Sequence, residues 1–89
     1  MPKVLIPPPY RGPTHGEGEV TVAATTIKEC VDIVENRFPG FGALIYTAAG
    51  DVADFVRFFV NDELVSVNIL DTTVGPNDEV KVLAAIAGG

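Results

Sequence analysis

Phe55-Val56-Arg57-Phe58-Phe59-Val60-Asn61-Asp62-Glu63 decides how the chain folds. Its first six residues are aromatic or β-branched around a single arginine, the composition of a strand. Asn61-Asp62 supplies a turn, and 63–67 is expected to return as a short strand. Upstream, Gly50-Asp51 reads as a break. Ala43-Leu44-Ile45-Tyr46 reads as a short helix or a turn. Before it, Thr26 opens the clearest helix. Thr26 and Glu29 have capping-box spacing, which predicts that the hydroxyl meets the amide of Glu29 while Glu29 reaches back to the cap amide. Ile27, Cys30, Val31, Val34 and Phe38 then recur on one helical face, and Pro39-Gly40 ends the run.

Further out lie two strands on one side and one on the other. Lys3-Val4-Leu5-Ile6 is stopped by Pro7-Pro8-Pro9, because proline cannot donate to a ladder. Glu19-Val20-Thr21-Val22-Ala23 alternates as a half-buried strand does. Downstream, 71–74 suggests a single helical turn. Gly75-Pro76-Asn77-Asp78 has the composition of a tight turn, and 79–86 forms the last strand. The order is strand, strand, helix, strand, strand, strand. That order predicts an α+β fold, in which one main helix covers one face of a mixed sheet of about five strands.

Composition narrows the function classes. The 89 residues leave room for a single domain, 1–89, with 85–89 as a flexible tail, and the 47% apolar fraction argues against disorder. The net charge of −6 argues against nucleic acid as a partner. No apolar run approaches a membrane span, and Met1-Pro2-Lys3-Val4 lacks a signal-peptide pattern, so a cytoplasmic location is the expectation. The lone cysteine, Cys30, excludes an internal disulfide and a multi-cysteine metal site. Its place on the apolar stripe points to a structural thiol. His15 has no neighbouring ligand and reads as a solvated loop residue. Asp51, Asp54, Asp62 and Glu63 fall in turns, where carboxylates are common. No phosphate loop, nucleophile elbow or hydrolase triad is present. The chain is therefore expected to be a substrate of enzymes and not an enzyme itself.

The element order, Phe59-Val60-Asn61-Asp62-Glu63, Gly75-Pro76-Asn77-Asp78-Glu79-Val80 and the ending Ala85-Ile86-Ala87-Gly88-Gly89 together resemble the MoaD/ThiS family of ubiquitin-like sulfur carriers. The Ala-Gly-Gly ending after Val80-Lys81-Val82-Leu83 is similar to the carriers that serve cysteine biosynthesis. The resemblance implies a β-grasp fold with no cofactor bound by the chain. It also implies a ubiquitin-activating-type enzyme that uses ATP and magnesium to adenylate the Gly89 carboxylate. Sulfur then displaces AMP, and the thiocarboxylate donates it to a sulfur-accepting synthase. Gly88 and Gly89 suit entry into a narrow active site because they lack a Cβ, and small Ala87 helps. Fully extended, 85–89 spans about 17 Å.

The β-grasp order places the first, aromatic and last strands side by side. Alternation then turns Val4, Ile6, Val56, Phe58, Val60, Val80 and Val82 toward the helix. It leaves Leu5, Phe59 and Leu83 outside as an apolar patch flanked by Lys3, Arg57 and Lys81. The resemblance implies that the activating enzyme docks on this face. Two other functions remain open: a protein modifier joined to lysines through Gly89, and a β-grasp interaction module with an inert tail.

Overall fold

The structure is a computed structural model that describes residues 1–84. Five strands form one sheet: β1 (Lys3–Leu5), β2 (Glu19–Thr21), β3 (Val56–Val60), β4 (Glu63–Val65) and β5 (Glu79–Ala84). Their spatial order is β2-β1-β5-β3-β4. The central pair, β1 and β5, is parallel; every other neighbouring pair is antiparallel. A parallel pair needs a crossover, and the whole of the chain between β1 and β5, helix α1 (Ile27–Arg37) included, supplies it.

The buried sides of the strands and of α1 meet in one core. Val4, Val20, Phe58, Val80 and Val82 from the sheet join Ile27, Cys30, Val31 and Val34 from α1. Phe41 and Ile45 of a short helix, α2 (Phe41–Ile45), complete it. The parity expected from sequence holds in all three central strands, except that Val60 is only half-buried. Phe38 packs half-buried against the core from the cap position just past α1.

Several local expectations need correction. The close partner of Glu29 is Thr25, and the Thr26 amide is only its weakest contact. Glu29 Oε1 accepts from the Thr25 amide at 2.7 Å and the Thr25 hydroxyl at 2.8 Å, one residue earlier than expected. The other half of the box forms, with the Glu29 amide donating to Thr26 Oγ1 at 3.2 Å. The Thr25 amide and then the Thr25 hydroxyl stabilise the carboxylate and lower the Glu29 pKa. The helical turn placed at 71–74 lies earlier, as a 3₁₀ turn at Ile69–Asp71. Thr73 and Val74 are extended instead, because Thr73 bridges to Thr26 and the Val74 amide donates to Thr25 O. β4 stops at Val65, before the expected 67. A 3₁₀ turn at Pro8–Tyr10 occupies the proline-rich loop. For β5, the expected continuation to Ile86 lies outside the described residues.

A candidate docking face and the tail beyond it

The outer sheet face takes its pattern from strand register. Across the five strands one row reads Glu19, Leu5, Lys81, Phe59 and Leu64. In the next row Lys3 lies between Thr21 and Glu79. On the other side Leu83 faces Arg57. Leu5 and Phe59 are half-buried, and Leu83 is 40% exposed.

This register corrects the expected layout of the patch. Lys81 does not flank Leu5 and Phe59; it sits between them, in register with both. Two strand spacings separate those residues by about 10 Å. The aliphatic stem of a lysine can cover apolar surface in such a gap while its ammonium stays wet. The Lys81 ammonium bonds Asp62 Oδ1 at 3.2 Å, an exposed pair worth less than about 1 kcal/mol. Arg57 is turned onto the chain just ahead of it, where its guanidinium donates to the Asp54 and Val56 carbonyls. Lys3 is exposed, with no ion-pair partner among the described residues.

Leu64 belongs to the same face and was not among the expected residues. It lies opposite Phe59 and is 54% exposed. The signal for it was present in the turn. Asn61 and Asp62 take φ values of 50° and 70°, the left-handed pair that a two-residue hairpin needs. Such a turn pairs Val60 with Glu63 and therefore Phe59 with Leu64.

Two stretches far apart in sequence hold each other at one end of this face. Asn61 Nδ2 donates to Asp78 Oδ1 at 2.7 Å, and Asn61 Oδ1 accepts from the Glu79 amide at 2.9 Å. The Gly75 amide donates to Asp78 Oδ2 at 2.7 Å. The Gly75 amide and then the Asn61 side chain stabilise the carboxylate, so the Asp78 pKa is lowered. The hairpin turn is thereby clamped to the start of β5, the strand that carries the tail.

The lone cysteine is not poised as a nucleophile. Cys30 is fully buried, and burial followed by the nearby Glu29 charge pushes its thiol up to about 11. A protonated thiol in the core is a poor nucleophile. His15 is exposed, with its ring tilted against Phe38 at 6.1 Å. Among the described residues, no group of His, Cys, Asp and Glu is placed to hold a metal. The expected working residues Ala87, Gly88 and Gly89 lie outside the described residues. β5 leads toward them from Leu83 and Ala84, beside the outer face.

Comparison with solved structures agrees with this architecture. A chain of the Amycolatopsis orientalis BexX/CysO complex superimposes with a TM-score of 0.91 and 33% identity, with 100% of both chains covered. Mycobacterium tuberculosis CysO, described as an antigen, matches at 0.89 with 27% identity over 97% of this chain and 100% of that one. Haloferax volcanii SAMP1, at 0.83 and 16% identity over 99% and 98% of the two chains, shares the fold. The fold is thus the ubiquitin-like β-grasp. No helix among the described residues is long and apolar enough to cross a membrane. No match is found among curated proteins. The model of the ThiS family matches residues 11–89, and the chain belongs to that family.

Proposed function

We propose that this protein carries sulfur as a thiocarboxylate on Gly89. The observation that carries the reading is the family match, which runs through Gly88 and Gly89. In the proposed cycle, the Gly89 carboxylate attacks ATP on an adenylating enzyme and releases pyrophosphate. Hydrosulfide displaces AMP from the acyl-adenylate, forming the C–S bond of the thiocarboxylate as the C–O bond to AMP breaks. The thiocarboxylate then passes its sulfur to an acceptor on a synthase. The chain supplies the carboxylate and the surface that presents it, and the partner supplies ATP and magnesium. The likeness to a chain crystallised in the BexX/CysO complex supports a role in which the carrier binds a partner. Mass spectrometry after incubation with the cognate adenylating enzyme, ATP and a sulfur source tests the cycle. Replacement of one terminal oxygen by sulfur is the expected result. Lysine-linked adducts without thiocarboxylate would overturn it in favour of a modifier.

The outer face is the proposed dock for the adenylating enzyme. Leu5, Phe59, Leu64 and Leu83 are the apolar contacts that support this reading, with Lys81 inside the patch and Lys3 at its edge. Phe59→Asp places a charge on this face without entering the core. Interface anchors lose about 2 kcal/mol or more when removed. The KM of the adenylating enzyme for this carrier is therefore expected to rise about tenfold or more, with the fold intact by circular dichroism. Unaltered kinetics in the folded variant would remove Phe59 from the dock.

A further inference from the structure

Beside the outer face, at the end of β5, lies an open groove of about 520 Å³. Leu5, Pro7 and Leu83 form its apolar wall, Arg11 supplies a cation, Glu19 lies on the β2 side, and Lys81 lines it with its ammonium already bonded to Asp62. Arg11 thus brings a cation with no ion-pair partner among the described residues into a recess of a protein of net charge −6.

Arg11 is held in place. Its Nε donates to Ile6 O at 2.9 Å. Its guanidinium lies against Gly18, where a Cβ would come within 2.8 Å of Nη2. Glycine at 18 therefore leaves the space that the guanidinium fills. The two terminal nitrogens of Arg11 have no hydrogen-bond partner among the described residues. A fixed guanidinium with its outer fork unengaged suits a carboxylate.

The groove also exposes main chain. β1 pairs with β5 only as far as Leu5 and Lys81. Ile6 then donates its amide to Gly18 O at 2.9 Å, and Pro7 has no amide to donate. β5 continues to Ala84, held on its other side by Arg57 and Val56. Lys3 N bonds Asp78 O, and Asn61 N bonds Glu79 O. Even-numbered residues of β5 therefore aim their main-chain groups at β1. By that alternation the Val82 carbonyl and the Ala84 amide face the groove, and no backbone hydrogen bond joins them to Ile6 or Pro7.

We infer that this groove receives an extended, carboxylate-bearing segment of the enzyme that acts on the tail. The inference rests on the carrier function proposed above. The segment adds to the open edge of β5 at Val82 and Ala84, sets an apolar side chain against Leu5 and Leu83, and places its carboxylate on Arg11. The enzyme thereby grips the last strand just ahead of the tail, which fixes where 85–89 enters its active site. This contact adjoins the broad face that bears Phe59 and shares Leu5, Lys81 and Leu83 with it, while Arg11 and the open end of β5 are its own; it selects partners by charge.

Adenylation kinetics with the cognate enzyme test the inference. Arg11→Gln is expected to raise KM for the carrier about tenfold with kcat little changed. KM for the unaltered chain is expected to rise more steeply with salt than KM for Arg11→Gln, a difference that a purely structural role for Arg11 would not produce. Pro8→Asp leaves the Arg11 anchor intact but puts a negative charge on the exposed rim, and it should raise KM similarly. Unchanged KM in both folded variants overturns the groove as a docking site. An unaltered chain that is never adenylated overturns the carrier reading itself, and the groove assignment with it. Self-association of the isolated chain that Arg11→Gln abolishes would assign the groove to a second copy, and so also overturn the inference.

Discussion

Removal of Gly88 and Gly89 is expected to abolish AMP transfer and thiocarboxylate formation while leaving the melting temperature unchanged. The two halves of this expectation have separate causes. The carboxylate at Gly89 is the proposed reacting group, and neither the cysteine nor the carboxylates beside the hairpin turn replace it. Cys30 is buried with a raised pKa, and the carboxylates of Asp62 and Asp78 are engaged on the surface by Lys81 and by Gly75 and Asn61. Removing the diglycine also shortens the reach of the tail by about 7 Å, so a new terminal carboxylate at Ala87 would stop short of the reacting position. Among the described residues the buried core runs to Val82, with Ala84 packed against it, all ahead of the diglycine. Pyrophosphate release in the presence of the adenylating enzyme measures the first half, and thermal denaturation measures the second. Retained adenylation in the truncated chain would place the reacting carboxylate elsewhere.

Phe58→Ala is expected to produce the largest loss of stability of any substitution considered. Phe58 is fully buried at the centre of the sheet, with Val82 beside it on β5 and Val65 on β4. Core aromatic truncations cost about 3–5 kcal/mol, because transfer energy is lost and the cavity left behind closes only in part. A chain of this length is stabilised by about 4–13 kcal/mol in all. The variant should therefore unfold at a much lower denaturant concentration and, at the low end of that range, populate the unfolded state without denaturant. Chemical denaturation followed by circular dichroism checks this. The neighbouring Phe59 gives the contrast, since its side chain leaves the opposite face of the same strand. A small loss at Phe58 and a large one at Phe59 would mean that the strand faces are reversed.

Much of the fold was legible because local chemistry and tertiary structure agree. The apolar stripe from Ile27 to Val34 needs only helical periodicity to be read, and the cap at Thr26 formed through its hydroxyl as spacing predicted. The alternation in Phe55-Val56-Arg57-Phe58-Phe59-Val60 told the inner face from the outer because a sheet with one covered face enforces period two. Where reading failed, partners distant in sequence decided the outcome. Thr73 is extended because it pairs with Thr26, and nothing local at 71–74 encodes that bridge. The Glu29 contact, by contrast, was missed for a local reason: the chain entering the helix brings two donors of Thr25 to one carboxylate oxygen, and these outweigh the Thr26 amide.

The candidate site divides along the same line. Which of Lys3, Leu5, Arg57, Phe59, Lys81 and Leu83 face outward followed from the sequence alone, because strand parity is a property of a single strand. The diglycine at 88–89 was likewise a sequence feature, made meaningful by the element order before it. How the outward residues sit beside one another was decided only by tertiary structure, because register is a property of strand pairs. It placed Lys81 between Leu5 and Phe59, added Leu64 to the face, and ended β1 two residues short of Pro7. That early end left the last residues of β5 open to the groove beside Arg11.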